Sequence, residues 1–197
     1  MTWLQPVVLE GRIARLEPLA VDHVPELERA ATDGELWRLW FTSVPSPEET
    51  RTYVEAALQD QSCGTALPFV VRSNQTDQIV GSTRFCHAVP QHRRVEIGYT
   101  WYAKSSQRTG LNTECKRLLL GHAFDTLDAI AVELRTHFHN RASRRAIERL
   151  GARLDGVLRQ HQILPDGTLR DTVVYSILDR EWPTVRRGLD FLLERER

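Results

Sequence analysis

The stretch Glu96-Ile97-Gly98-Tyr99-Thr100-Trp101-Tyr102-Ala103-Lys104-Ser105-Ser106-Gln107-Arg108-Thr109-Gly110-Leu111-Asn112-Thr113-Glu114 changes its periodicity half-way along. Val95, Ile97, Tyr99 and Trp101 share one face of an alternating run from Arg94, which predicts a strand. Past Gly110 the apolar positions become Leu111, Cys115, Leu118, Leu119 and His122, the inner stripe of a helix. Lys104 to Gly110 is the loop between them. Strand–loop–helix geometry turns the first unpaired helix N–H groups toward one point, and the helix dipole adds positive potential there. A pyrophosphate suits such a point. Gly110 lets the backbone approach the phosphates or take a positive φ. An ordinary connection with one glycine has the same pattern, since neither GxGxxG nor GxxxxGK[ST] is present.

Working outward, Arg12–Leu16 alternates as a first strand, and Asp22 is positioned to cap a helix with Pro25 in its first turn. Ser46 and Glu49 have capping-box spacing for a second helix from Pro47. Phe69–Val71 and Gln78–Phe85 flank the turn cluster Ser73–Asp77 and predict a hairpin. Val132–Phe138 is another strand, and Arg141–Leu150 a helix closed by Gly151. Two late strands, 152–162 and 169–178, flank Pro165-Asp166-Gly167, and a last helix covers about 183–195. The order β-α-α-β-β-β-α-β-α-β-β-α predicts an α+β (mixed α/β) domain with a mixed, mostly antiparallel sheet.

The 197 residues fit one domain, 1–197, and 41% hydrophobic content is enough for its core. Lys+Arg and Asp+Glu both number 26, which removes the basic excess expected of a nucleic-acid binder. No run reaches the ~20 apolar residues of a membrane span, and the first residues lack a secretory pattern. Cys63, Cys86 and Cys115 are too scattered for a disulfide framework or a metal knuckle. The expectation is a cytoplasmic protein with no nucleic-acid or membrane partner and no metal.

Gln107-x-x-Gly110-x-Asn112 resembles the acyl-CoA pyrophosphate signature Q/R-x-x-G-x-G/A of the GNAT superfamily of N-acyltransferases. Leu9–Leu19, Ile79–Thr83, Val95–Tyr99, Asn140–Ser143 and Arg149–Ala152 resemble, in order, its branch of ribosomal-protein N-terminal acetyltransferases. The resemblance implies a splayed central sheet flanked by helices and acetyl transfer from acetyl-CoA to a primary amine by direct attack. It implies a cofactor site of Thr100, Trp101, Gln107, Arg108, Thr109, Gly110, Leu111, Asn112, Thr113, Asn140 and Ser143. Backbone N–H groups near Tyr99–Trp101 would polarise the thioester carbonyl, and Asn140 would bond the pantetheine arm or cap its helix. The acceptor is a small-molecule or peptide amine, and members often pair as homodimers.

Two positions depart from the pattern. Asn112 replaces the usual glycine or alanine. Ile147 stands seven residues after Asn140, where many members place a tyrosine that protonates the leaving thiolate, so Ser143 is the nearest polar substitute. A non-catalytic CoA-binding sensor or scaffold is therefore the alternative. Glu96, out of phase with Val95 and Ile97, is either the catalytic base or a cross-strand partner of Arg84 or Arg94. Arg141, Arg144, Arg145, Arg149 and Arg153 read as a solvated face, with one or two able to meet phosphates. His137-x-His139 lacks a third ligand, Cys115 reads as a buried hydrophobe, and Trp37, Trp40 and Phe41 as core or acceptor-pocket wall.

Overall fold

A computed structural model describes residues 3–195 and carries eight strands in one open sheet, ordered β1-β2-β3-β4-β5-β6-β8-β7. The elements are β1 (Leu9–Glu10), β2 (Ala14–Pro18), α1 (Val24–Thr32), α2 (Thr50–Ser62), β3 (Leu67–Ser73), β4 (Ile79–Val89) and β5 (Arg94–Tyr102). There follow α3 (Leu111–Gly121), β6 (Ala131–His137), α4 (Arg141–Arg149), β7 (Arg153–Ile163), β8 (Leu169–Leu178) and α5 (Trp182–Arg195). Every neighbouring pair is antiparallel except β5 and β6.

Two apolar layers sandwich the sheet. Leu27, Ala31, Val54 and Ala57 of α1 and α2 pack with Val70, Ile79 and Trp101 on one face. Leu111, Cys115 and Leu119 of α3, Ile147 of α4 and Leu189 of α5 pack with Phe69, Phe85, Val95 and Ile97 on the other. β5 serves both layers because its alternation is reset part-way: Val95 and Ile97 face one side as expected, but Trp101, expected beside them, faces the other, past an extra residue in the strand.

Three local details differ from the sequence reading. The first long strand begins at Ala14 rather than Arg12, because the N–H groups of Arg12, Ile13 and Ala14 donate to the buried Glu114 carboxylate at 3.0, 2.6 and 2.8 Å. Asp22 caps nothing: α1 begins after a tight turn, Val21–His23, in which His23 Nδ1 accepts from the Ala20 N–H at 3.1 Å. The Ser46–Glu49 box does form, with reciprocal 3.3 Å bonds, but α2 begins at Thr50 after a turn.

The single parallel pairing decides the shape. β5 and β6 match only at Arg94–Ala131, Val95–Val132 and Glu96–Glu133, and then part. On its other side β5 carries a bulge: Arg84 faces Gly98 but Ser82 faces Trp101. Tyr99, with φ of +51°, is the inserted residue and bends the strand. Gly81 permits the close approach there, because a Cβ on it would lie 2.1 Å from the Trp101 carbonyl oxygen.

Glu114 ties the first strand to α3 across a long sequence separation. Glu114→Ala should leave three N–H donors without their carboxylate and cost about 3 kcal/mol or more, read by urea unfolding. Glu114→Gln should recover part of that loss.

Candidate active site

A cleft of ≈ 550 Å³ occupies the gap between the parted strands. Ile97 to Tyr102 of β5 form one wall, and Leu134 and Arg135 of β6 with Asn140, Ser143, Ile147 and Leu150 form the other. Gln107, Arg108, Asn112 and Lys116 line its α3 end, and Leu39, Phe41 and Val44 its mouth. Beyond Glu96 the β5 backbone has no strand on the β6 side, so its polar groups face the cleft. An extended amide chain can add there as a strand would.

The loop before α3 is ordered by its own side chains. Gln107 Nε2 donates to the Tyr102 carbonyl at 3.0 Å, and Thr109 Oγ1 donates to the Ser106 carbonyl at 2.8 Å. Arg108 carries the positive φ, +61°, whereas Gly110 is right-handed at φ −63°. Of the two roles read for Gly110, only close approach remains. Leu111 and Thr113 turn their side chains inward, Thr113 onto Arg149 Nη2 at 2.9 Å, and the Leu111 N–H donates to Thr109 Oγ1 at 3.3 Å, so a phosphate is left the N–H groups of Asn112 and Thr113. Thr100, Trp101, Gln107, Arg108, Asn112, Asn140 and Ser143 all line the cleft, and Thr109, Gly110, Leu111 and Thr113 lie at its α3 end without lining it. Asn140 is also the cap of α4, its Oδ1 accepting from the Ser143 N–H at 3.0 Å, and its amide nitrogen stays available. Ile147 is an apolar wall residue.

Glu96 is buried where β5 and β6 begin to part, one residue before the cleft wall. Its partners are neither Arg84 nor Arg94. Oε2 meets His87 Nδ1 at 2.9 Å and Arg135 Nε at 3.3 Å. Arg94 pairs instead with Glu133, and Arg84 lies over the Tyr99 ring at 3.9 Å. The bulge explains this: it brings Tyr99 onto the face where a simple alternation would not put it. The hydrogen bond to Glu96 raises the His87 pKa above its usual 6.5, and His87 is exposed, so it can pass a proton between Glu96 and solvent. With a raised folded-state value, the stabilisation from this pair is full below 6.5 and fades as pH climbs through the folded value.

The arginine run is not uniformly solvated. Arg144 Nε donates to the Tyr175 hydroxyl at 3.2 Å and Arg149 to Thr113, while Arg141 and Arg145 remain largely open to solvent. The Trp37–Phe41 segment divides: Trp37 packs into the α1–α2 core, Phe41 lines the cleft, and Trp40 meets the His137 ring edge-on at 4.8 Å. His137 Nδ1 accepts from the His139 N–H, so the pair is structural. Cys86, His87 and Glu96 bring ligand atoms within 4.8 Å of one another, but Arg135 already neutralises Glu96, and burial pushes the Cys86 thiol pKa up. Burial likewise raises Cys115 to about 12.

The periodicity of the sequence passes over Lys116 and Arg135, which both line the cleft. Arg135 carries a weak signal, as a charge on the same strand face as Glu133. Lys116 carries none, since a lysine beside an apolar stripe reads as exposed.

Residues 14–153 match the family model of the acetyltransferase (GNAT) domain. The chain belongs to that family. A crystal structure of an acetyltransferase from T. thermophilus is 37% identical, with a TM-score of 0.84 over 97% of this chain and 99% of that one. The N-acetyltransferase YoaA of Bacillus subtilis (strain 168) is 30% identical over 62% of this chain and 67% of its own length. The ribosomal-protein-serine acetyltransferase of Escherichia coli (strain K12) is 26% identical over 77% of this chain and 85% of its own. This GNAT chain is thus an acetyl-CoA-dependent acetyltransferase.

Acetyl-CoA should raise the melting temperature by mass action, because it binds the folded state. Gly110→Val should abolish that shift with little change in the unliganded melting temperature. Equal shifts in both proteins would remove the α3 N-terminus from the cofactor site.

Proposed function

We propose that this GNAT chain acetylates a primary amine, with Glu96 as the base and the cleft between β5 and β6 holding acetyl-CoA. The observation that carries the assignment is the placement of a buried carboxylate where the two strands part. The pyrophosphate is assigned to the loop residues Gln107–Gly110 and the N–H groups of Asn112 and Thr113, and the pantetheine to β5 and Asn140. Backbone N–H groups at the Tyr99–Trp101 bulge polarise the thioester carbonyl. Glu96 takes the amine's proton through water, the nitrogen adds to the carbonyl carbon, and His87 passes the proton to solvent.

A peptide N-terminus is the favoured acceptor. Leu39 and Trp40, 40% and 50% exposed, leave an apolar ledge beside the cleft that suits a peptide's side chains, and the Escherichia coli relative is named for a ribosomal-protein serine. A homodimer belongs to the same proposal. Leu154, Leu158 and Ile163 stand 56%, 41% and 76% exposed on the edge strand β7, and a second copy would cover them. No helix among the described residues is long and apolar enough to cross a membrane, and action in the cytoplasm is part of this reading.

Acetyl-CoA consumption assayed against short peptides with free or blocked N-termini, and against small amines, tests the acceptor. Turnover restricted to small amines would overturn the peptide reading, and binding without turnover would favour a sensor. Glu96→Gln should leave acetyl-CoA affinity nearly unchanged and lower turnover by about 10²–10⁴, with loss of the acidic limb of the rate profile. Turnover within about threefold of wild type would remove Glu96 as the base.

A further inference from the structure

Lys116 is a buried lysine with no structural duty of the usual kind. It is 5% exposed, lines the cleft, and is anchored by its Nζ donating to Thr100 Oγ1 at 2.6 Å. Among the described residues no carboxylate pairs with it. Thr100 Oγ1 in turn lies 2.7 Å from Thr83 Oγ1, so the ammonium is held against the β5 bulge from below. A buried, unpaired charge costs several kcal/mol, and such groups are kept where they act.

The two sides of the sheet divide the labour. Glu96 leaves β5 on the opposite face from Val95 and Ile97, whereas α3 packs on the Val95–Ile97 face. An amine deprotonated by Glu96 therefore arrives from one face, and the thiolate departs toward the other. On that other face Ile147 offers no proton. We infer that Lys116 is a catalytic residue that stabilises and protonates the departing coenzyme A thiolate. The inference rests on acetyl-CoA lying in the cleft as proposed above.

In this step the C–S bond breaks with its electron pair on sulfur, Lys116 transfers one proton to that sulfur, and the resulting amine regains a proton from water. The amine substrate's proton has left through Glu96, so charge and protons balance. Burial lowers the lysine's pKa to about 8, close to that of a free thiol at ~8.5. Its titratable neighbours are Cys86 of β4, Cys115 of its own helix and Tyr102 of β5, all kept neutral by burial. Arg149 of α4 is engaged by Thr113.

Lys116→Met tests the assignment without endangering the fold. The folded-state value lies below the unfolded one, so the cost of the buried charge is present below about pH 8 and fades toward the unfolded 10.5. At pH 7 the variant should melt at an equal or higher temperature. With saturating amine, kcat should fall about 10²-fold and the alkaline limb near pH 8 should vanish, while acetyl-CoA affinity holds within about threefold. Free coenzyme A bound to each protein gives a second readout, the ultraviolet titration of its thiolate. The thiol should ionise at lower pH in wild type than in Lys116→Met. Wild-type kcat and limb retained in the variant, with no difference in thiol ionisation, would overturn the assignment. The thiol difference without any acetyl transfer by wild type would support the Lys116 contact and overturn the proposed function instead.

Discussion

The parting of β5 and β6 after Glu96 and Glu133 is the constraint on which the rest depends. A parallel pair that stayed in register would bury its backbone groups in a continuous ladder and leave no cleft. The bulge at Tyr99 bends β5 away, and the Tyr53 hydroxyl, which donates to the Tyr99 carbonyl at 3.4 Å, holds the inserted residue from the α2 side. One inserted residue therefore exposes a strand edge inside a buried sheet. Polar backbone in a largely apolar cleft is what an acyl-pantetheine chain requires.

That geometry also sorts the charged residues. Above the sheet, the Glu96 carboxylate is held between His87 and Arg135, with a route to solvent through the exposed His87. Below it, Lys116 sits on the far side of the same strand, fixed by Thr100. A base and an acid placed together would neutralise each other as a salt bridge; in the proposed mechanism the strand keeps Glu96 and Lys116 apart. A reaction that removes a proton from one reactant and adds one to another benefits from that separation. Ile147, a departure from the family pattern, is a packing residue of the core that also lines the cleft.

Glu114 shows how closely the scaffold is coupled to the site. Its carboxylate fixes the start of β2 and orients α3, which begins at the edge of the cleft and carries Lys116 at its middle. Gly11 is required there, since a Cβ would lie 2.5 Å from Glu114 Oε2. Through this one buried group, the N-terminal strand is mechanically coupled to the helix that lines the cleft.

The sequence alone determined the elements and their order, because strand and helix leave different periodicities: the two-residue alternation of Arg94–Trp101 and the three-to-four spacing of Leu111–His122 are local. It also determined the loop Gln107–Asn112, the left-handed Gly151 and the cap at Asn140, whose roles depend on neighbours in the chain. Family likeness added the acyl donor. What only the tertiary structure decided were the partners. Glu96 meets Arg135 and His87 rather than Arg84 or Arg94, because a bulge resets which residues face each other. Lys116 is a cleft residue rather than a surface lysine, because α3 is buried on more of its circumference than its apolar stripe indicates. Burial and pairing arise from segments distant in sequence, and no local periodicity encodes them.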